Sequence, residues 1–146
     1  MARGKRASCP VNQIYALPES LSIPYDDVDA EHAGLIVLLN QALHVAETIQ
    51  DNRKAMGGPL DALSKAMLVH FAHEEQEMET LGYAELAQHR LHHNHCVTKL
   101  GAIRESIGVN GANKAIVDQV FDLLIDDIIR ADSAFKSFLY AVGLIP

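Results

Sequence analysis

The stretch HFAHEEQEMETLGYAELAQHRLHH, residues 70–93, carries five histidines and five glutamates around a single glycine. At the 3.6-residue period of an α-helix, His70 and Glu74 fall on the apolar face of the segment before that glycine. His89 and His93 fall on the apolar face of the segment after it. A polar or charged group that faces a protein core costs several kcal/mol unless it is paired or coordinated. The stretch therefore predicts two helices that bring metal-capable side chains into a shared core.

The composition is that of a folded helical domain. The chain has 146 residues, 49% of them hydrophobic, with no tryptophan and few aromatic residues. Its β-branched residues do not alternate along the chain, which disfavours strands. The formal net charge of −7 gives no electrostatic reason to bind nucleic acid, because the phosphates would repel the protein. We therefore expect a single helical domain that does not bind nucleic acid.

The sequence predicts neither a membrane segment nor export. No apolar stretch reaches the length of a transmembrane helix. Three basic residues near the start, Arg3, Lys5 and Arg6, resemble the beginning of a signal peptide, but no apolar run follows them. We expect a cytoplasmic protein.

The periodicity of the remaining sequence predicts an all-α fold. An extended arm of residues 1–26, interrupted by three prolines, precedes a helical domain of residues 27–146. The predicted helices cover about residues 27–53, 59–80, 85–107 and 112–141. Short links between long helices imply antiparallel neighbours, and hence an up-down-up-down four-helix bundle.

Seven metal-capable side chains face the core of this predicted bundle. The first helix contributes His32 and the fourth Asp127 and Asp132, in addition to the four on the middle helices. Four imidazoles and three carboxylates with no inward lysine or arginine lack an internal charge balance, which metal cations would supply. The set exceeds what one tetrahedral zinc ion needs and suits two ions bridged by carboxylates. Imidazole with carboxylate favours iron, manganese or zinc.

Two common metal motifs are incomplete in this chain. The segment HEEQE, residues 73–77, begins like HExxH but ends in glutamate, and the paired ExxH of ferritin-like bundles is missing. A different pattern is present. It consists of DAEH at residues 29–32, HFAHEEQEM at residues 70–78, HRLHH at residues 89–93 and LIDDIIRADSAF at residues 124–135. In this order and spacing the chain resembles the hemerythrin family, most closely the bacterial hemerythrins, over about residues 27–140.

The resemblance implies a dioxygen-binding protein for sensing, storage or delivery. Its cofactor would be two iron ions with an oxo or hydroxo bridge, with manganese or a mixed Mn/Fe pair left open. By analogy, His32 and His70 would hold one ion, His89 and His93 the other, and Glu74 and Asp132 would bridge them. Dioxygen would bind at the ion held by His32 and His70.

One position departs from the family pattern. Members carry a histidine five residues before the final aspartate, where this chain has Asp127. If Asp127 is a ligand, its negative charge favours the ferric state, so that dioxygen would be reduced rather than released. An oxidase or peroxidase that consumes dioxygen or peroxide is therefore the alternative function, and whether the protein is an enzyme stays open. Asp127 as a solvated residue, a single-metal site, and iron or zinc binding without redox chemistry also stay open.

Three further residues, Phe71, Met78 and Cys96, are expected to pack beside the centre and are candidates for lining a dioxygen pocket. The remaining histidines of the domain, and Glu75, Glu77 and Glu79, fall off the apolar faces. We interpret the glutamates as a solvated face and the histidines as surface or outer residues. The arm of residues 1–26 is where a protein partner could bind.

Overall fold

The structure is a computed structural model that describes residues 14–146, except for the side chain of Asp127. The bundle consists of four helical rods. Three of the rods are single α-helices: α1 (Val28–Thr48), α2 (Gly57–Thr80) and α3 (Leu86–Asn110). The fourth rod consists of α4 (Lys114–Asp122), a π-helical segment (Leu123–Ile129), a short 3₁₀ turn (Arg130–Asp132) and α5 (Ser133–Ala141). The predicted all-α, antiparallel four-helix bundle is confirmed. No helix within residues 14–146 is long and apolar enough to cross a membrane.

Helix α1 ends earlier than predicted, and a polar side chain forms hydrogen bonds in the segment that follows it. Helix α1 ends at Thr48, several residues before the predicted end near residue 53. The reason is Asn52, whose buried amide donates to the carbonyl oxygens of Ala46 and Ala112 and accepts from the backbone N–H of Ala112. The link after α1 is thereby tied to the link after α3. Helix α3 ends at Asn110, and the next residue, Gly111, has a φ of 76°, in the left-handed region that favours glycine.

The fourth rod is not the continuous α-helix that the periodicity predicted. A π-helical segment replaces α-helix over Leu123–Ile129, and the 3₁₀ turn follows directly. A π-helix has more residues per turn than an α-helix, and a 3₁₀-helix has fewer. Val120 and Leu124 are buried before the turn, and Phe135 and Leu139 are buried after it.

The apolar core consists of two clusters with a polar layer between them. One cluster contains Leu35 of α1, Phe71 of α2 and Ile129 of the fourth rod. The other contains Val28, Met78 and Phe135 of the same three rods. His32 and Asp132 lie between these positions on their rods, and Glu74 lies between Phe71 and Met78, with His70 one turn before it. The functional candidates thus lie inside the bundle, with hydrophobic packing above and below them.

The described part of the arm packs against the bundle. The buried side chain of Asn40 in α1 accepts the backbone N–H groups of Ile14 and Tyr15 at 3.0 Å and donates to the carbonyl oxygen of Tyr15. The Tyr15 ring stacks on Phe121 at 4.6 Å, and its hydroxyl donates to Asp118. Residues 1–13 of the predicted arm lie outside the described residues.

We expect Asn40→Ala to release the arm from α1, because the backbone polar groups of Tyr15 lose their buried partner. The free energy of unfolding should fall by about 2 kcal/mol. Urea denaturation measures this change, and limited proteolysis should cleave the arm faster. Asn94→Ala, an exposed position of α3, is the matched control and should change neither. Equal stability of the two variants would contradict the proposed anchoring.

Candidate metal centre

Six buried side chains meet in the polar layer of the bundle. Helix α1 supplies His32, α2 supplies His70 and Glu74, α3 supplies His89 and His93, and the 3₁₀ turn supplies Asp132. On α2 and α3 the two residues are four apart and therefore share one face of the helix. His89 is the most accessible of the six, at 8% exposed. The structure thus brings together six of the seven residues predicted as ligands, whereas the side chain of Asp127 lies outside the described residues.

The six side chains form two groups that share both carboxylates. The ligand atoms of His32, His70, Glu74 and Asp132 lie within 4.8 Å of one another. Those of His89, His93, Glu74 and Asp132 do the same. The Nε2 atoms of His32 and His70 are 3.1 Å apart. Two nitrogens bound to one ion at about 2.1 Å stand about 3.0–3.4 Å apart, so this spacing fits a shared ion.

Each carboxylate turns one oxygen toward each histidine pair. Oδ2 of Asp132 is 2.9 Å from Nε2 of His32, and Oδ1 of Asp132 is 3.3 Å from Nε2 of His89. Glu74 behaves in the same way. Its Oε2 is 3.3 Å from Nε2 of His70, and its Oε1 contacts Nε2 of His89 and lies 3.3 Å from Nε2 of His93. This division of oxygens is the arrangement of two carboxylates that bridge a pair of ions.

Several of these buried atoms have no hydrogen-bond partner among the described residues. They include Oε2 of Glu74, Nε2 of His93 and Oδ1 of Asp132, all on the inner side of the cluster, and also Nδ1 of His32. The buried polar residues of the described chain include no lysine or arginine that could satisfy them. Burial without partners is costly. Convergent imidazole nitrogens and carboxylate oxygens are a donor set for transition-metal ions, so the residues fit a metal centre.

Contacts within the cluster shift the pKa values of His70, His89 and Glu74. Burial by itself lowers the pKa of His70, but the contacts with Asp132 and Glu74 outweigh it and raise the pKa to about 10. The same opposing causes raise the pKa of His89 to about 9. Burial raises the pKa of Glu74, yet its contacts with His70, His89 and His93 hold it well below the usual range.

Two glutamates outside the cluster fix the orientation of histidine rings. Nδ1 of His70 is 3.2 Å from Oε2 of Glu31, and Nδ1 of His93 is 2.6 Å from Oε1 of Glu75. An Nδ1–H that donates to a carboxylate leaves the Nε2 lone pair free to face the centre. The sequence analysis missed Glu31 and interpreted Glu75 as part of a solvated face. Both contacts cross between helices, so the periodicity of a single helix gives no sign of them.

The three pocket candidates lie beside the polar layer. Phe71 stacks on the ring of His93, with centroids 3.8 Å apart and an interplanar angle of 10°. Met78, one turn beyond Glu74, belongs to one apolar cluster, and Cys96 belongs to the other. All three are buried packing residues.

The other histidines do not join the buried cluster. His44 and His95 are exposed, and His92 is partly buried. His73 is also partly exposed, and it contacts Glu31 and Asp26 on the outer side of α2. These four positions agree with their interpretation as surface or outer residues.

Comparisons with known proteins support the same family. A sequence model described as the Hemerythrin HHE cation binding domain matches residues 23–131. A bacteriohemerythrin of Methylococcus capsulatus is 30% identical over 115 residues, covering 77% of this chain and 86% of that protein. A bacteriohemerythrin of Stenotrophomonas maltophilia is 35% identical over 86 residues, covering 59% of this chain and 55% of that protein.

A more distant relative and a solved structure agree with the fold. Myohemerythrin-1 of Phascolopsis gouldii is 26% identical over 126 residues, covering 86% of this chain and 94% of that protein. The crystal structure of a leucine-to-phenylalanine mutant has a TM-score of 0.72 at 24% identity, covering 86% of this chain and 96% of that one. Because the family match spans most of the chain and agrees with the fold, this chain belongs to the hemerythrin HHE cation-binding domain family.

Proposed function

We propose that this protein binds dioxygen reversibly at a carboxylate-bridged centre of two iron ions inside the bundle. The observation that carries the proposal is the division of the Glu74 and Asp132 oxygens between two histidine pairs. Two such carboxylates would hold two ions about 3–4 Å apart, which is on the order of the spacing in two-metal sites. The hemerythrin relatives support dioxygen as the ligand. A di-iron centre, when bound, supplies the electrons for that binding.

In this proposal each histidine pair holds one ion. His32 and His70 hold the first, His89 and His93 hold the second, and Glu74 and Asp132 bridge the two. By the family pattern, which has a ligand histidine five residues before the final aspartate, Asp127 would be a further ligand of the second ion. By the family resemblance, the ion held by His32 and His70 would have fewer protein ligands and would be the site of dioxygen binding. The same donor set accepts manganese, so a manganese or mixed Mn/Fe pair belongs to the same proposal.

The surrounding residues keep water away from the centre and the rings in place. All six described ligands are buried, and the two apolar clusters close the bundle on either side of them. Phe71 covers the ring of His93. Dioxygen is small and apolar, so the apolar packing around Phe71, Met78 and Cys96 would admit it more readily than a proton donor such as water. Exclusion of proton donors favours release of dioxygen over its reduction.

The oxidase or peroxidase alternative depends on the carboxylate of Asp127. That side chain lies outside the described residues, and the described geometry of the other six ligands gives no support to the alternative. Peroxide as a substrate, a cytoplasmic location and a protein partner at the arm stay predictions. Reversible binding of dioxygen is therefore tested directly, by comparison of the wild-type protein with a variant at position 127.

The first prediction for the metal centre concerns how the stability of the apoprotein changes with pH. His70 and His89 have folded pKa values of about 10 and about 9 against an ordinary value of 6.5, so the folded state binds their protons more tightly than the unfolded state. Their contribution to stability is complete below about pH 6.5 and is lost as the pH rises through the folded values. The Tm of the apoprotein should therefore fall by on the order of 5 °C between pH 6.5 and pH 9.

Calorimetry of the apoprotein measures the slope of its Tm against pH. His70→Gln should flatten it, whereas His95→Gln, at an exposed position of α3, should preserve it. Metal-loaded protein should not follow the slope, because the metal replaces the protons and its binding releases them. A Tm of the apoprotein that rises with pH over this range would contradict the charge arrangement described above.

The second prediction concerns Glu75, which holds the Nδ1–H of His93. Glu75→Gln removes the negative charge that raises the basicity of the ring, and iron affinity should fall by about tenfold. Glu79→Gln is the matched control, because both glutamates contact Arg90, at 3.3 and 3.4 Å, but Glu79 does not reach a ligand. Competition with a chelator measures the affinity. Equal iron affinities of the two variants would rule out the orienting role of Glu75.

The third prediction tests dioxygen binding itself. Anaerobic iron loading should give two irons per chain, and exposure to dioxygen should produce an absorption band that fades under argon. Direct passage to a stable oxidised spectrum would mean that dioxygen is consumed and would contradict reversible binding. Asp127→His restores the residue usual in the family. If only this variant shows the reversible band, the carboxylate at position 127 is what diverts the wild-type protein to consumption.

A further inference from the structure

We propose that Asp26, His73 and Glu77 form a second metal site, which faces solvent and binds one divalent transition-metal ion. The site goes beyond the dioxygen-binding centre and does not depend on the function proposed for it. None of its three residues belongs to the buried ligand set. They come from the segment before α1 and from the outer face of α2.

The three ligand atoms already converge. Nε2 of His73 lies 2.9 Å from Oδ2 of Asp26 and 3.8 Å from Oε1 of Glu77, and all three atoms lie within 4.8 Å of one another. His73 and Glu77 are four residues apart on α2 and therefore share one face. Two ligands of one ion at about 2.1 Å stand about 3.0–4.2 Å apart, so small rotations of these side chains complete the site.

Two of the ligands are held by partners outside the site. The hydroxyl of Tyr25 donates to Oε2 of Glu77 at 2.9 Å, which leaves Oε1 directed at His73. Oε1 of Glu31 contacts Nδ1 of His73, which leaves Nε2 on the side of Asp26. A carboxylate on one ring nitrogen with a metal on the other is the usual arrangement of metal-bound histidine.

The local charge favours a cation. Within the described residues, the ion pairs of Asp26, Glu31 and Glu77 are made with histidines and not with lysine or arginine. Three carboxylates therefore surround one imidazole. All three ligand side chains are partly exposed, between 26% and 43%, so water can fill the remaining coordination positions. One imidazole and two carboxylates suit zinc, manganese or ferrous iron.

Glu31 connects this outer site to the buried centre. Its Oε1 contacts Nδ1 of His73, and its Oε2 lies 3.2 Å from Nδ1 of His70. One carboxylate thus orients a ligand of each site. The outer site lies one side chain away from the buried centre, on the face of the bundle where α1 and α2 meet.

The test is equilibrium dialysis of the iron-loaded protein against zinc, with iron and zinc counted in the same samples. We expect one zinc per chain in addition to the metal already bound, with no loss of iron. His73→Ala and Glu77→Gln should each weaken zinc binding by at least about tenfold, as expected for loss of a ligand. His44→Ala, which removes an exposed histidine of α1, should leave zinc binding unchanged.

Three results would overturn the proposal. The first is no additional zinc at concentrations on the order of 0.1 mM, which would mean that His73 is held by the carboxylates as an imidazolium ion pair alone. The second is zinc uptake matched by iron release, which would place the zinc in the buried centre. The third is equal weakening by His44→Ala, which would mean adventitious binding to surface histidines.

Because His73 neighbours Glu74, iron content and circular dichroism are checked for each variant. Asp26→Asn, which touches no buried ligand, decides the outcome if His73→Ala loses iron.

Discussion

The structure depends on the burial of two carboxylates among four imidazoles. Glu74 and Asp132 are almost fully buried, and each faces both histidine pairs. Such a layer is unfavourable unless protons or cations neutralise it, so the protein must either hold protons there or bind metal. The raised pKa values of His70 and His89 are the first of these solutions. A pair of metal ions would be the second, and it would use Oε2 of Glu74, Nε2 of His93 and Oδ1 of Asp132, which have no hydrogen-bond partner among the described residues.

The apolar clusters on either side of this layer have a different role. They supply the hydrophobic burial that holds the bundle together. The polar layer between the clusters sets the positions of the rods along the bundle axis, since each rod must present its polar residue at the same level. Packing therefore stabilises the fold, whereas the polar layer selects one alignment of the helices.

The outer contacts extend this constraint to the surface. Glu31 and Glu75 hold the far sides of His70 and His93, and Glu31 also holds His73. These glutamates are only partly buried, so their carboxylates keep contact with water while they orient buried rings. The rigidity of the centre thus comes from charged groups on adjacent helices as well as from packing. The same contacts are what bring Asp26, His73 and Glu77 together.

The sequence predicts the four-helix bundle and brings the six described residues of the centre to its core, because steps of three and four along a helix fix which side chains share a face. It also determined that these residues are metal-capable, since residue type decides the donor atoms. The tertiary structure was needed to find the division of the Glu74 and Asp132 oxygens between the two histidine pairs. It alone revealed the support from Glu31 and Glu75, the π-helical segment in the fourth rod and the docking of Tyr15 on Asn40. Each of these depends on distances between different rods or on local winding, and neither quantity is set by the periodicity of a single helix.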